Sequence, residues 1–422
     1  MLTDNKFDLN TKICIIGAGA AGLTVAYILR KKGYKNITIL EKENQPGGKC
    51  HTIVYKDRYF ELGAGAICSD YKVILEIMKE LGMKSKIPAI PNPIFLNNNG
   101  LEIKSSFFKQ IKFIWELLFK FSYLLFKNRK FCQPGLSNIP EELYENFDSY
   151  CRKNNLSDFA QTLNTIVSPF GYGYFDTIPT AYYLKYLTFT GLVEYFITKR
   201  LQFFVEGAGN LWQKLSKQFN VLFEEHIISI NRTDGIYIQT QKGNYEFDKL
   251  ILACPLDNAL DFLDATLLEN ELFSKIKYNN YYTFAFIISK FPFTKTDVDS
   301  GFFTENMNSR DQGKIMFFYR RYVNSEFCTF YLVANQEHNE QQLKLDVENQ
   351  LKNMGFIIDK EYVSIKWKYF PHVGSEDMKD GFYDKLEGIQ GQNNMYLTGE
   401  IMNFPSLRGV TEYSNYLINK YF

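Results

Sequence analysis

The sequence predicts an α/β protein in which a Rossmann-type nucleotide-binding domain is interleaved with a helical region and a mainly antiparallel β-sheet domain. Three observations carry that expectation. An apolar run opens directly into a glycine-rich turn, a second apolar run ends on an acid, and the long middle of the chain switches from helical to alternating hydrophobic spacing.

Ile13-Cys14-Ile15-Ile16 is a short apolar run of the kind that forms a buried parallel strand. Gly17-Ala18-Gly19-Ala20-Ala21-Gly22 follows as a turn. A helix is then expected to about Lys32, packing Leu23, Ala26, Tyr27 and Leu29 inward and closing at Gly33. Residues 37–40 make a second strand that ends at Glu41, completing one β-α-β unit. Residues 88–200 read as helical segments rich in aromatic side chains, without strand alternation. A helix is expected at 210–219, strands at 221–223, 227–230, 236–240 and 245–247, and another buried parallel strand at 250–253. Residues 278–369 alternate as in an antiparallel sheet. A last strand at 395–397 leads into Thr398-Gly399-Glu400, and a closing helix is expected at 410–421. The expected division is a discontinuous nucleotide-binding domain (1–87, 201–260 and 388–422), a helical substrate or lid domain (88–200) and a β substrate domain (261–387).

A chain of 422 residues, 45% hydrophobic and 23% charged, is soluble and globular in type and large enough for more than one core. Its net charge of +1 and the absence of a dense basic run exclude a nucleic-acid binder. Aromatic residues reach 17%, with 38 Phe and 29 Tyr. Two accounts of that excess stand: rings lining a long apolar cavity, or the drift of an AT-rich genome toward Phe, Tyr, Asn, Lys and Ile codons. The seven cysteines are scattered and include no Cys-x-x-Cys pair, which argues against a disulfide framework, and with four dispersed histidines no metal site is expected. Residues 1–12 are polar and lack the apolar stretch of a signal peptide, so a cytoplasmic location is expected.

In Gly17-x-Gly19-x-x-Gly22 the first glycine permits the tight turn, the second lets the backbone approach a pyrophosphate, and the third lets helix pack on strand. The helix N-terminus adds unpaired N–H groups facing the phosphates. Glu41, nineteen residues after Gly22, stands where a carboxylate accepts both ribose hydroxyls and repels a 2′-phosphate. The run Glu41-Lys42-x-x-x-Pro46-Gly47-Gly48-Lys49 then favours FAD over NAD. Such a second glycine pair resembles that of flavoproteins of the glutathione-reductase and amine-oxidase superfamily, where it passes the FAD phosphates and ribityl chain. Gly399-Glu400 resembles the strand end with which the same superfamily closes its FAD site. That resemblance gives the acid a ribityl hydroxyl and turns a helix N-terminus, Gly409-Val410-Thr411, toward the flavin. The expected FAD contacts are Gly17, Ala18, Gly19, Ala20, Ala21, Gly22, Glu41, Lys42, Gly48, Lys49, Gly63, Ala64, Ile227, Gly399, Glu400 and Val410.

Five further segments narrow the resemblance: Gly47-Gly48-Lys49-Cys50-His51, Glu61-Leu62-Gly63-Ala64, Pro169-Phe170-Gly171-Tyr172-Gly173-Tyr174-Phe175-Asp176, Pro179-x-Ala181-Tyr182-x-Leu184-Lys185-Tyr186-Leu187, and Tyr369-Phe370-Pro371-His372-Val373-x-Ser375-Glu376-Asp377. With Glu387-Gly388-x-Gln390-Gly391 and Gly399-Glu400-Ile401-Met402 they resemble the bacterial FAD-dependent polyunsaturated fatty acid isomerases, which convert linoleate to a conjugated diene. The resemblance runs the length of the chain, strongest at 13–68, 165–187 and 369–402 and weakest at 88–160. It implies a hydride passed to flavin N5 from the carbon between two double bonds and returned at the end of the conjugated system, with no net redox change and no obligatory general base. It also implies a lipophilic small-molecule substrate. No catalytic side chain is assigned. Phe170, Tyr172, Tyr174 and Phe175 are candidates for lining the channel and stabilising the transient cation, or else form a packed turn. The alternative function is net oxidation by an amine oxidase or desaturase of the same superfamily, and a third is a flavin-bearing binding or regulatory protein without turnover.

Around Ile90-Pro91-Asn92-Pro93 the resemblance leads one to expect basic residues for a fatty-acid carboxylate, yet the nearest are Lys84 and Lys86. At 107–126 the chain is very apolar, with Lys109, Lys112, Glu116 and Lys120 at helical spacing on one face, too charged to span a bilayer. It reads as an amphipathic helix covering the substrate domain in preference to a monotopic helix in peripheral contact with a membrane. No obligate protein partner is evident. His51 and His372 are expected to be structural in preference to tuning the flavin, and Cys50 and Cys68 to pack as small apolar groups.

Overall fold

A computed structural model describes residues 7–88, 92–104, 106–198, 200–293, 295, 297–335 and 337–422. Ile13–Ile16 is a fully buried strand, because nothing in the run needs water. It is the middle of a five-stranded, all-parallel sheet ordered Met395–Leu397, Lys249–Leu252, Ile13–Ile16, Ile37–Leu40, Asn220–Leu222. The chain adds strands on one side of Ile13–Ile16 first and on the other side later. The crevice at that reversal, outside the carboxyl ends of the strands, is where open α/β sheets bind ligands. Helix Ala20–Lys31 covers one face, and Gly33, at φ +96°, lets the Tyr34 N–H turn back to the Leu29 carbonyl at 3.1 Å. Closing helix Leu407–Tyr421 packs beside it, with Ser414 Oγ 2.9 Å from Thr398 Oγ1 and 3.3 Å from the Ala21 carbonyl. The two ends of the chain thus share one layer.

A six-stranded mixed sheet forms the second wall, in the order Ile357–His372, Lys277–Lys290, Phe327–Ala334, Phe317–Tyr319, Ser300–Phe303, Pro93–Leu96. Its long central strands are antiparallel, while Pro93–Leu96 joins the edge parallel to Ser300–Phe303. That edge strand corrects the expectation that residues 88–200 lack strands. Ile94 and Leu96 are buried in the second hydrophobic cluster, but four residues bounded by prolines and asparagines are too short to register as alternation. Gln202–Phe204 pairs antiparallel with both Ala66–Ile67 and Ser85–Pro88. This small sheet brings Ala66 and Phe203 to the wall of the cavity described below.

Helices Phe147–Lys153, Ser157–Val167, Thr180–Tyr186 and Phe189–Phe196 build a lobe over the sheets. On top lies a continuous helical segment, α over Phe107–Trp115, π over Glu116–Phe121 and α again over Ser122–Lys127. Its inner face buries Phe113, Leu117, Phe121 and Leu124, and Phe113 stacks on Phe159 at 4.9 Å. It does cover the helical lobe. Glu116 is buried, however, and does not share the exposed edge with the lysines, because it falls on the inner side of the segment. Ile90 and Pro91 of the expected carboxylate site lie outside the described residues. Asn92 lies within them and donates its N–H to Asp299 at 2.7 Å.

Candidate functional site

The strand Ile13–Ile16 releases the chain at Gly17, whose φ of +105° and close approach to the Ala253 carbonyl leave no room for a side chain. A Cβ at Gly22 would lie 2.0 Å from the Gly17 carbonyl oxygen, so helix and turn touch backbone to backbone. A Cβ at Gly19 would meet nothing within 4 Å. Gly19 faces an open cradle, which is the space a pyrophosphate needs. The second glycine pair closes on the first: the Gly47 N–H donates to the Ala18 carbonyl at 2.9 Å, and a Cβ at Gly48 would sit 3.5 Å from Gly19 Cα. Glu41, buried at the end of Ile37–Leu40, accepts from the Ala18 N–H at 2.7 Å and from the Glu43 N–H at 3.0 Å. Its carboxylate therefore stands over the same turn. Two residues before Ile227, the Glu225 N–H donates to the Glu41 carbonyl at 2.8 Å, which brings this segment to the acid end of the cradle. Lys42 is different: its side chain is mostly exposed and pairs with Glu43 at 3.6 Å, outside the cradle, because the chain turns outward after Glu41.

The distant strand end arrives at the same place. The Thr398 N–H donates to the Leu252 carbonyl at 2.9 Å, and Gly399, at φ +105°, passes the Ala253 carbonyl from the side opposite Gly17. Lys49 and Glu400 form an ion pair at 2.5 Å, joining the two ends of the chain at a partly exposed position. Gly63 lies flat against Lys49, where a Cβ would be 2.0 Å from the Lys49 carbonyl oxygen, and the Ala64 N–H donates to that carbonyl at 3.1 Å. The closing helix starts at Leu407, three residues before the expected Val410, because Ser406 caps it through the Gly409 N–H at 3.0 Å. The Val410 N–H is consequently spent on the Ser406 carbonyl, and Ser406 and Leu407 are the residues that reach the site. The residues of the cradle fit a dinucleotide: an open face at Gly19, a helix N-terminus behind it, and a carboxylate at one end.

A cavity opens beyond Lys49 and Gly63-Ala64, and its walls are overwhelmingly aromatic and aliphatic. Phe170 and Tyr172 line it. Tyr174 and Phe175 do not: Gly173, at φ +74°, redirects the chain, and Phe175 packs on Phe147 and Tyr183 in the lobe while Tyr174 lies against Met316. Tyr186, Tyr195 and Phe196 add rings from the helical lobe, and others come from the six-stranded sheet, where Tyr281 stacks on Tyr331 at 5.9 Å and on Tyr369 at 5.2 Å. Tyr172 stacks on Tyr369 in turn at 5.8 Å, so the Gly-aromatic turn and the Tyr369-Phe370 strand end are in direct contact. Tyr281, Tyr331 and Trp367 were not singled out from the sequence as cavity residues, and Tyr369 was picked out only as part of a segment carrying the resemblance. Their alternate spacing within residues 278–369 was the only available signal, and alternation does not tell which face looks onto a cavity.

Two charged side chains line the cavity, and both are neutralised in place. Lys49 is held by Glu400, and Glu61 by Arg321 at 3.2 Å. Glu61 also accepts from Thr52 at 2.6 Å and from the Ala208 N–H at 2.8 Å, although burial still raises its pKa. Burial pushes the Cys50 and Cys68 thiols up to about 12, so neither is a thiolate at neutral pH. It also lowers both His51 and His372, which keeps the two rings uncharged. His372 donates its Nδ1–H to the Phe370 carbonyl at 2.8 Å and stacks on the Phe370 ring, a packed position. The cavity is thus electrically quiet. Among the described residues no group of His, Cys, Asp or Glu is arranged to hold a metal ion.

Residues 20–403 match the family model described as flavin containing amine oxidoreductase. The chain is 30% identical to the crystal structure of a CLA-producing fatty acid isomerase from P. acnes, with a TM-score of 0.92 and 99% of this chain and 100% of that one covered. A polyenoic fatty acid isomerase of Ptilota filicina is 34% identical over 76 residues, a segment that is 18% of this chain and 15% of that protein. Cyclohexylamine oxidase from Brevibacterium oxydans IH-35A shares the fold, with a TM-score of 0.67 at 12% identity and 98% of each chain covered.

Proposed function

The chain belongs to the flavin-containing amine oxidoreductase family and is an FAD-dependent enzyme, and from that premise we propose that it isomerises double bonds in an unsaturated fatty acyl chain. Bound FAD supplies the acceptor and donor of a hydride. The Gly17-Gly22 turn would hold its pyrophosphate, Glu41 its ribose, and the Lys49-Glu400 pair with Gly399 the part of the cofactor nearest the cavity.

The observation that carries the proposal is the electrically quiet aromatic cavity beside that cradle. A substrate amine would arrive as a cation and would need either a carboxylate to receive it or a base to discharge it. Glu61 is committed to Arg321, Thr52 and Ala208, and the lining thiols and phenols stay protonated. A hydrocarbon chain asks for neither. What it does ask for is exclusion of water and a fixed position, and packed rings supply both. The π faces of Tyr172, Tyr369 and Phe170 also offer the negative side of their quadrupoles to positive charge developing on the substrate.

Neither lining charge is free to receive a substrate carboxylate, since Lys49 is already paired. The substrate class is therefore an unsaturated acyl chain whose head group is held outside this cavity, as a free acid or as an ester. The test is anaerobic incubation of the flavin-loaded enzyme with linoleate and with its methyl ester, following conjugated-diene absorbance, flavin colour and peroxide on readmission of air. Diene formation with the flavin still oxidised at the end of turnover is expected. Peroxide in proportion to product, or turnover of amines with no diene, overturns the proposal in favour of a net oxidase.

A further inference from the structure

The helical segment Phe107–Trp115, Glu116–Phe121 and Ser122–Lys127 is apolar on both sides. Its inner side is consumed by the lobe beneath. Its outer side carries Phe108, Ile111, Trp115, Phe119, Tyr123 and Phe126, each between 49% and 80% exposed. Single exposed apolar residues are ordinary on a protein surface, but six large ones in a row along one helix form a contiguous patch, and such patches mark docking sites.

The charge within the segment is mostly basic. Residues 103–131 contain seven Lys or Arg and one acid, Glu116, which is buried. Lys109, Lys112, Lys120 and Lys127 run along one edge of the row, and Arg129 lies over the Phe126 ring at 4.5 Å. Lys112 pairs with Asp158, Lys120 with Glu116 at 3.5 Å and Lys127 with Glu142 at 2.8 Å, so these three acids offset part of the seven basic charges and leave a basic excess. The whole chain has a net charge of only +1, so this is a local concentration. No helix among the described residues is long and apolar enough to cross a membrane. An aromatic row edged with cations, on a helix that cannot span, has the chemistry of an interfacial helix.

We propose that this face docks on an anionic lipid bilayer, the segment lying in the plane of the interface with its aromatic row at the acyl boundary and its lysines among the headgroups. The proposal rests on the reading of the substrate as a lipid acyl chain and extends it to where that chain comes from. Phe113, on the inner side of the segment, contacts Phe196 at 4.5 Å, and Phe196 lines the cavity. The docking helix and the cavity wall are one side chain apart, so a lipophilic substrate leaving the bilayer meets the protein on the side of its cavity. A second copy of the chain is the weaker occupant, because a two-fold contact through this row would bring two lysine edges together.

Flotation of the flavin-loaded full chain with vesicles tests this. Vesicles of phosphatidylcholine containing phosphatidylglycerol should carry the protein upward, vesicles of phosphatidylcholine alone should bind it about tenfold less well, and added salt should narrow that difference. The double variant Phe108→Ser, Phe119→Ser should lose about tenfold or more in partitioning while keeping its flavin content and unfolding midpoint, since both rings are exposed. In a second measurement, Trp115 emission should shift to shorter wavelength on anionic vesicles, and Trp115→Phe should abolish the shift. Failure of the wild type to float with anionic vesicles overturns the proposal. So does a stable dimer in light scattering that the double variant dissociates. Vesicle binding is read without substrate, so it and the isomerase assay can fail separately.

Discussion

The cradle at Gly17-Gly22 and Gly47-Gly48 is made of backbone, whereas the cavity next to it is made of side chains. In the cradle, carbonyls and N–H groups come within van der Waals contact of one another, and positions such as Gly22 have no space for a single added carbon. In the cavity, rings from the Gly-aromatic turn and from the six-stranded sheet stack on one another, with ring-centroid distances of 5.2 to 5.9 Å between Tyr281, Tyr331, Tyr369 and Tyr172. A backbone-built site holds an invariant ligand and fails abruptly. A side-chain-built site can be resized one ring at a time, which is how one fold serves amine oxidation and acyl-chain chemistry alike.

The largest effect should come where backbone meets backbone. Gly22→Val would place Cβ 2.0 Å from the Gly17 carbonyl and 3.1 Å from Ile15 Cγ2, and neither can move without parting helix from sheet. A loss of about 4 kcal/mol or more is expected in denaturant unfolding, together with loss of flavin absorbance per protein. A Gly22→Val variant that unfolds like wild type would show that the helix is not seated on the turn.

On the cavity side, Arg321→Met should rank next. It leaves Glu61 buried and unpaired, with the two side chains 1% and 3% exposed, and should cost about 3–5 kcal/mol in the same experiment. Adding Glu61→Gln should recover part of the loss. If the single variant is as stable as wild type, the pair is not what neutralises the cavity. The smallest effect on stability, and the sharpest on function, belongs to Gly19→Ala. Its Cβ meets no protein atom, and its φ of −79° suits alanine, so stability should fall by about 1 kcal/mol or less, as for a weakened helix cap. Flavin affinity, measured by titration of the flavin-free protein, should drop about tenfold or more, equivalent to about 1.4 kcal/mol. Unchanged affinity would mean that the open side of Gly19 does not face the cofactor.

The cofactor half of the site was legible because its rules are local. Glycine spacing, an acid at a set distance and a buried run on either side are determined by the turn itself, so Gly17, Gly19, Gly22 and Glu41 could be placed from residues 13–41 alone. Local rules also misplaced details. The closing helix begins at Leu407 because Ser406 outcompetes the later glycine as its start, and Lys42 turns outward one residue beyond the acid. Phe170 and Tyr172 were picked out together with Tyr174 and Phe175, but adjacent aromatics on a turn cannot all face one way, and Gly173 separates the pair at the cavity from the pair in the lobe.

The amino-acid sequence alone determined that this chain opens with a β-α-β unit of the nucleotide-binding kind, since that unit is written in a few consecutive residues, whereas Gly399-Glu400 joined the same expected site only through its resemblance to a flavoprotein strand end. Only the tertiary structure decided that Lys49 meets Glu400 across 351 positions, that Glu61 is neutralised by Arg321, and that a row of aromatic side chains stays uncovered on the outside of the helical lobe. The physical reason is range. Backbone conformation answers to its neighbours in the chain, while burial and charge pairing answer to whatever the fold brings alongside.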